Sequence, residues 1–569
     1  MMFVLLMVTG LFAFGQTVQI TGVVTSSEDG LPLPGVTVKV QGMTLGAVTG
    51  PDGVYTLQVP QTATALELSF IGMQSQVVQI SGRTRVNVTM APDLVAMDEV
   101  VVIAYGTAKR GTFTGSAAQI ESKKIETRPI ANITKAIEGT NPGIQVTSSS
   151  GQPGEGQDIR IRGFGSVSAS NAPLYVVDGV PFSGNISNIN SQDVESISIL
   201  KDAASSALYG NRAANGVVMI TTKRGTKNQS SIQFTTTQGL STRSIPEDDR
   251  ITGLDYYPLM WEADYYRQVY ATTPVDPAVA AQSATDNLIT RVGYNITTLP
   301  NNQIVGTDGL LNSNAEILGD YAGDLDWQDP IMRQGYRGEY GLTFNGGSEK
   351  GDYYVSLGYL NEKGYVIKSD YERMTGRINV NTTPKKWMRT GLNLSGTMTE
   401  SNVASSGGTS YVNPFFFTRN MGPIYPVYAH DPLTGAYLED PSTGGKVYDL
   451  GNLPGLPARP AGASPGRHVV AETNWNDDLF KRNVLGARTY VDFLFLDGFK
   501  FTINLAADVT AYNASGYENK IVGDGAPAGR GDKVNRTTTS YTVNQLLPYS
   551  KTLHVLSDAK HLRTEKHDF

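Results

Sequence analysis

Cysteine is absent from all 569 residues, which removes disulfides, zinc–thiolate sites and thiol nucleophiles together. Histidine is scarce, at five, and outside the last twenty residues only His430 and His468 occur, both in a Gly/Pro-rich stretch. No H-E-x-x-H set, nucleophile elbow, P-loop or dinucleotide fingerprint is present, so the chain does not read as an enzyme and no cofactor is expected. Charge is sparse at 17%, and 46 Lys plus Arg against 53 Asp plus Glu give a formal −7 and a pI near 5.4. That balance argues against a nucleic-acid partner held through phosphates. Long apolar runs are missing too. After residue 15 no stretch approaches the roughly 18 apolar residues of a membrane helix, so any membrane embedding must use strands.

What is abundant is glycine, at 61, and tyrosine, at 28, a composition that leans towards an all-β chain rich in tight turns. The opening run MMFVLLMVTGLFAFG, residues 1–15, reads as a secretory signal peptide with Ala13 and Gly15 at the small-residue cleavage positions. It lacks a basic residue in front, which an upstream start codon would supply. Residues 16–93 alternate at period two between turn signals, with Val36, Val38 and Val40 on one face and Pro51, Asp52 and Gly53 as turn chemistry. The expectation is a small Greek-key β-sandwich that resembles the carboxypeptidase-regulatory-like domain, a module without catalytic residues.

Residues 94–111 form a linker in which Asp98 and Glu99 precede the β-branched run Val100, Val101, Val102 and Ile103, followed by Ala104 and Tyr105. An apolar strand between flexible joints can add itself to the sheet edge of another protein. The competing reading is a last strand of the sandwich. Residues 112–228 then mix short strands, glycine turns and helix: ANITKAIEGTNPGIQV, DIRIRGFGS, PLYVVDGVPF, VESISILKDAASSALYG and AANGVVMITTK. Asp178 and Gly179 read as a hairpin turn. Arg160 and Arg162 alternate with Ile159 and Ile161, which places both guanidinium groups on one strand face. Pairing with carboxylates on a surrounding wall would set how firmly this domain is held, and Glu339 is one candidate partner.

The order of coupling strand, RIRGFGS, YVVDGVP and DVESISILKDAASSALYGNRAANGVVMITTKRG resembles the plug domain of SusC/RagA-type TonB-dependent importers over about 130 residues. The resemblance implies a plug in the lumen of an outer-membrane β-barrel, with Asp98–Tyr105 as the TonB box. It also implies TonB, energised by ExbB and ExbD, and a SusD-like surface lipoprotein as partners, and a glycan or peptide as substrate.

From 229 to 550 the alternation lengthens. Tyr340, Leu342 and Phe344 oppose Gly341, Thr343 and Asn345; Phe499, Phe501, Ile503 and Leu505 oppose Lys500, Thr502 and Asn504. An apolar outer face against lipid, a wet inner face, short turns at 383–387 and 496–499, and long excursions at 244–334 and 403–480 suit a membrane barrel. Phe415, Phe416, Phe417 and Trp475 are expected in an interfacial girdle, the alternative being sugar stacking. About eight strands are expected where plugged transporters close with about 22, so the barrel reads as incomplete. Residues 551–569 abandon the alternation and read as an atypical, frameshifted tail without a closing strand. The fold class expected is therefore mainly β: sandwich, α+β plug, partial antiparallel barrel. The functional expectation is a truncated outer-membrane nutrient importer with its plug and N-terminal domain on the periplasmic side; the alternatives are a siderophore or cobalamin receptor and a signal-transducing receptor.

Overall fold

In a computed structural model, the described residues are 17–27, 30–43, 45–70, 73–91, 100–103, 106–109, 117–126, 128, 130–148, 150–182, 186–201, 207–404, 413–496, 498–555 and 563–568. The expected signal peptide lies outside them, as do Asp98, Glu99, Ala104 and Tyr105. The chain divides into two compact units, 1–115 and 116–569.

The first unit is a two-sheet sandwich. Strands β1 (Thr17–Ser26), β4 (Val54–Pro60) and β7 (Val88–Met90) form one sheet in the order β4-β1-β7; β2 (Thr37–Val40), β3 (Gly46–Val48), β5 (Ala65–Phe70) and β6 (Met73–Gln79) form the other in the order β3-β2-β5-β6. Period-two alternation drives it: Ile20, Val24, Val36, Val38, Leu66 and Leu68 are completely buried while their neighbours face water. The run Val100–Ile103 (β8) pairs with Gly106–Lys109 (β9) as a separate antiparallel hairpin, not as a strand of either sandwich sheet.

The second unit opens with a mixed five-stranded sheet, order β10-β15-β16-β13-β14, made by β10 (Ala117–Glu121), β13 (Leu174–Val177), β14 (Val180–Pro181), β15 (Val194–Leu200) and β16 (Val217–Thr222). β11 (Ile144–Thr147) and β12 (Asp158–Ile161) form a hairpin beside it. Val194, Ile197, Ile199, Val217 and Val218 are fully buried, the near-continuous apolar signature of strands covered on both faces. Asp178 (φ 49°) and Gly179 (φ 82°) take the two left-handed positions of the β13–β14 turn, which a β-branched residue would resist.

Eight antiparallel strands follow in chain order as one sheet: β17 (Ser230–Ser241), β18 (Gly335–Ser348), β19 (Gly351–Lys363), β20 (Asp370–Lys385), β21 (Met388–Asn402), β22 (Asp477–Phe495), β23 (Phe499–Glu518) and β24 (Arg530–Leu546). Because neighbouring strands run antiparallel, the connections sort by end: 242–334, 364–369, 403–476 and 519–529 emerge at one, the short 349–350, 386–387 and 496–498 at the other. Ile232, Phe234, Leu357, Met374, Met398 and Leu485 stand exposed on the apolar face, the pattern of a sheet whose outer face meets lipid. At the short-turn end Trp387, Phe493 and Phe501 stack across strands at 6.2 and 6.5 Å, the position of an interfacial belt. Among the described residues no pairing joins β17 to β24.

One expectation is corrected here. Phe417 is not in a girdle: it is buried beside Trp327, ring centroids 5.1 Å apart, in a core shared by the two long connections, because apolar residues in loops of this length can bury one another. The final residues supply no strand to the wall sheet. Ser550–Val555 (β25) and Arg563–Asp568 (β26) pair antiparallel as a two-stranded ribbon outside the eight-stranded sheet.

Candidate functional site: the plug against the wall

The mixed sheet domain sits on the polar face of the eight-stranded sheet, and the join is made of buried polar groups. Asn190 and Asp193 flank a short 3-10 turn that enters β15. The Asp193 carboxylate accepts hydrogen bonds from Ser356 Oγ (2.6 Å) and Tyr354 OH (3.2 Å) on β19 and lies 3.4 Å from Arg377 Nε on β20. Asn190 donates to Thr375 Oγ1 (3.2 Å) and accepts from Arg373 (3.3 Å). Arg373, 2% exposed, also donates to the Ala131 carbonyl at 2.6 Å. Gly358 on β19 makes this approach possible, since a Cβ there would stand 2.8 Å from Asn190 Nδ2.

Asp178 does more than turn the chain. Its two oxygens accept from Thr222 N (2.9 Å), Thr222 Oγ1 (2.8 Å) and, across the join, Asn393 Nδ2 on β21 (2.7 Å). Asn379 donates to the Lys223 carbonyl at 2.6 Å. Buried charge is tolerated only when matched, and Asp193 faces Arg377 while Arg373 faces Glu339.

The expected pairing of Arg160 or Arg162 with Glu339 is not the one formed. Glu339 contacts Arg337 (2.6 Å) and Arg373 (3.6 Å), both on the wall. Arg160 lies over the Phe164 ring at 4.5 Å. Arg162 falls one residue beyond β12 with φ 60°, so the alternation that would have put it on the face of Arg160 has already ended. The polarity is the reverse of that expected: the plug supplies the carboxylates and the wall the guanidinium groups. The missed residues left a signal, since Arg373, Thr375, Arg377 and Asn379 recur at period two on the polar face of β20.

On the side of the long connections, plug residues Gln152 and Glu155 and wall residues Tyr371, Phe480, Arg482 and Tyr512 line a cavity of about 290 Å³. Phe480 and Tyr512 stack at 6.3 Å and Arg482 lies 5.4 Å over the Tyr512 ring. At another part of the plug Lys201 donates to the Pro142 carbonyl at 2.9 Å; partial burial, then Arg162, hold its ammonium below the ordinary lysine range. Among the described residues no three His, Cys, Asp or Glu side chains converge as a metal cage.

Comparison with known proteins accounts for this arrangement. Residues 109–217 match the TonB-dependent receptor plug domain and residues 20–102 the CarboxypepD_reg-like domain. TonB-dependent receptor P3 of Formosa agariphila is 31% identical over 436 residues, 76% of this chain and 38% of that protein. TonB-dependent receptor SusC of Bacteroides thetaiotaomicron is 31% identical over 389 residues, 66% of this chain and 34% of that protein. The RagAB peptide importer in its open-open state superposes with a TM-score of 0.60 at 25% identity, covering 80% of this chain and 47% of the solved one. The chain thus spans little more than a third of the length of these curated relatives. Over its regulatory-like domain, its plug and the first strands of its wall, the chain is similar to the TonB-dependent receptors of the SusC/RagA type.

Proposed function

We propose that this chain forms the accessory domain, plug and first wall strands of an outer-membrane importer for oligosaccharides or peptides. The observation that carries the proposal is the plug seated on the polar face of a membrane-type sheet through a buried and mainly polar join, with a small apolar contact of Ala131 on Leu360 and Tyr371. Such a join holds a closed state and is released at modest cost, because each hydrogen bond lost to the wall is regained with water. In this reading Asp98–Tyr105 is the TonB box: TonB, energised by ExbB and ExbD, adds itself to that strand from the periplasm and pulls. The side of the long connections faces outward, where a SusD-like lipoprotein delivers substrate. The cavity at Tyr371, Phe480, Arg482 and Tyr512 offers aromatic faces and charged hydrogen-bonding groups of both signs, which suits sugars and peptides alike. The names SusC and RagAB peptide importer among the similar proteins favour this substrate range over a siderophore.

The test is deletion of Asp98–Tyr105 in a full-length version. Energised uptake is abolished and surface binding of substrate is retained; unchanged uptake overturns the assignment of the box.

A further inference from the structure

Between the two long connections lies a second cavity, of about 560 Å³, which shares no lining residue with the chamber at Tyr371 and Arg482. That volume is within the roughly 300–1,000 Å³ of small-molecule sites. Much of the lining is apolar or aromatic: Tyr256 and Met260 come from the helix Gly253–Val269, and Met421, Pro423 and Tyr425 from the second connection. Three guanidinium groups, those of Arg250, Arg291 and Arg419, complete it, and no carboxylate lines it.

These arginines exceed what the fold needs for charge balance. The Asp264 carboxylate, 2% exposed, lies 2.9 Å from Arg267 Nη2 and 2.7 Å from Arg291 Nη2, and also accepts from Gln268 Nε2 at 3.0 Å. Glu247 is shared in the same way, by Arg419 at 2.8 Å and by Arg243. One arginine would match each carboxylate. In both pairs the second, Arg291 or Arg419, is the one that lines the cavity, whereas Arg267 and Arg243 do not. Arg250 donates to the Met421 carbonyl at 2.9 Å and lies 3.8 Å from Asp326, which is open to water. The carboxylates that pair with or act on the three, Glu247, Asp248, Asp264 and Asp326, all stand outside the lining.

We propose that this cavity binds an acidic oligosaccharide through the carboxylates borne on its sugar rings. A guanidinium fork matches a carboxylate with two parallel hydrogen bonds, and the tyrosine and methionine side chains offer the C–H faces of a sugar an apolar surface. Several cations around one apolar lining suit a ligand that repeats its charge. A ring-borne carboxylate gives up little freedom when clamped, whereas the glutamate side chains of an acidic peptide must each surrender several rotamers. That such a saccharide is cargo rests on the importer reading; that it binds between the connections does not.

The test is binding to the 569-residue chain in lipid nanodiscs, with trigalacturonate, its methyl ester and triglutamate as probes. Trigalacturonate is expected to bind about tenfold more tightly than either of the others, because it alone joins ring-borne charge to a sugar face. R291Q and R419Q are each expected to weaken it about fivefold, while Asp264 keeps Arg267 and Glu247 keeps Arg243. Gly462 lines the cavity, and a Cβ built on it meets nothing within 4 Å. G462F therefore fills the space with all three arginines in place, and is expected to abolish binding. An unchanged unfolding midpoint by intrinsic fluorescence shows that each variant is folded; if G462F is not, the two arginine variants decide. No binding of trigalacturonate, equal affinity for its methyl ester, tighter binding of triglutamate, or an unchanged affinity in folded G462F or in both arginine variants overturns the proposal. Failure of the box deletion to stop uptake would count against the importer reading alone and leave these affinities standing.

Discussion

The two long connections and the plug–wall join are both buried, and they are built oppositely. Residues 242–334 and 413–476 meet in an apolar core around Tyr257, Trp261, Leu288, Ile296, Trp327, Phe417, Ile424 and Val469. The helix Gly253–Val269 is capped by Thr252, and Pro277–Val292 by Asp276 with Gly293 (φ 82°) closing it. Trp327, completely buried, donates to the Tyr425 carbonyl at 2.8 Å and packs on His468 at 4.7 Å. The plug–wall join has almost no such apolar packing. Apolar burial is lost whenever two surfaces part, whereas hydrogen bonds are exchanged for water. The two connections, together a cap at that end of the sheet, are thus built to stay folded, and the join to let go.

That contrast is most strongly challenged at Trp327. Trp327→Ala is expected to cost the cap about 3–5 kcal/mol, read as a lowered midpoint for the intrinsic fluorescence of the remaining cap tryptophans; a loss under about 1 kcal/mol would mean that the core is not the source of its stability.

Next comes the join. Asp193→Ala strands Arg377 among buried groups and is expected to destabilise plug seating by about 3 kcal/mol, seen as faster hydrogen exchange in β15 and β16. Asp193→Asn keeps an acceptor for Ser356 and Tyr354 and should lose less than half of that. Equal losses would make the join a matter of packing, as in the cap.

The smallest effect, taken per pH unit, is that of acidification. His468 is fully buried, accepting from Ala471 N through Nδ1 (3.1 Å) and donating through Nε2 to the Val427 carbonyl (2.7 Å). Burial pushes its pKa down from 6.5 to about 3. Between those values the unfolded chain binds a proton that the folded cap refuses, so the stability is complete above 6.5 and is lost as pH falls towards 3. The slope is up to about 1.4 kcal/mol per pH unit. Burial raises the Glu472 carboxyl above 4.5, which gives the opposite slope above that value, so the chain and His468→Asn must be compared at matched pH. Asn keeps the helix cap and removes the titration; the variant should show the shallower loss on acidification, and parallel curves would refute the role of His468.

The wall strands were legible because alternation at period two is written in most of them, and the apolar face found is the one that Tyr340, Leu342, Phe499 and Leu505 predict. The plug was legible from its long ordered resemblance, and the β13–β14 turn from Asp178 and Gly179. The site was less so. Arg160 and Arg162 were the conspicuous charges of the plug, but the residues that seat it are Asn190, Asp193 and Asp178, none of them distinctive in a turn. Phe415–Phe417 looked like a belt because an aromatic run in a loop carries no mark of what will cover it.

The sequence by itself determined which face of each strand is wet and where the chain turns, since both follow from local sterics and side-chain period. Only the tertiary structure decided that Asp193 meets Arg377 and Asp178 meets Asn393. Period two assigns a residue to a face and leaves open which strand, at which register, stands opposite a given plug turn; that is settled by the simultaneous packing of segments some two hundred residues apart.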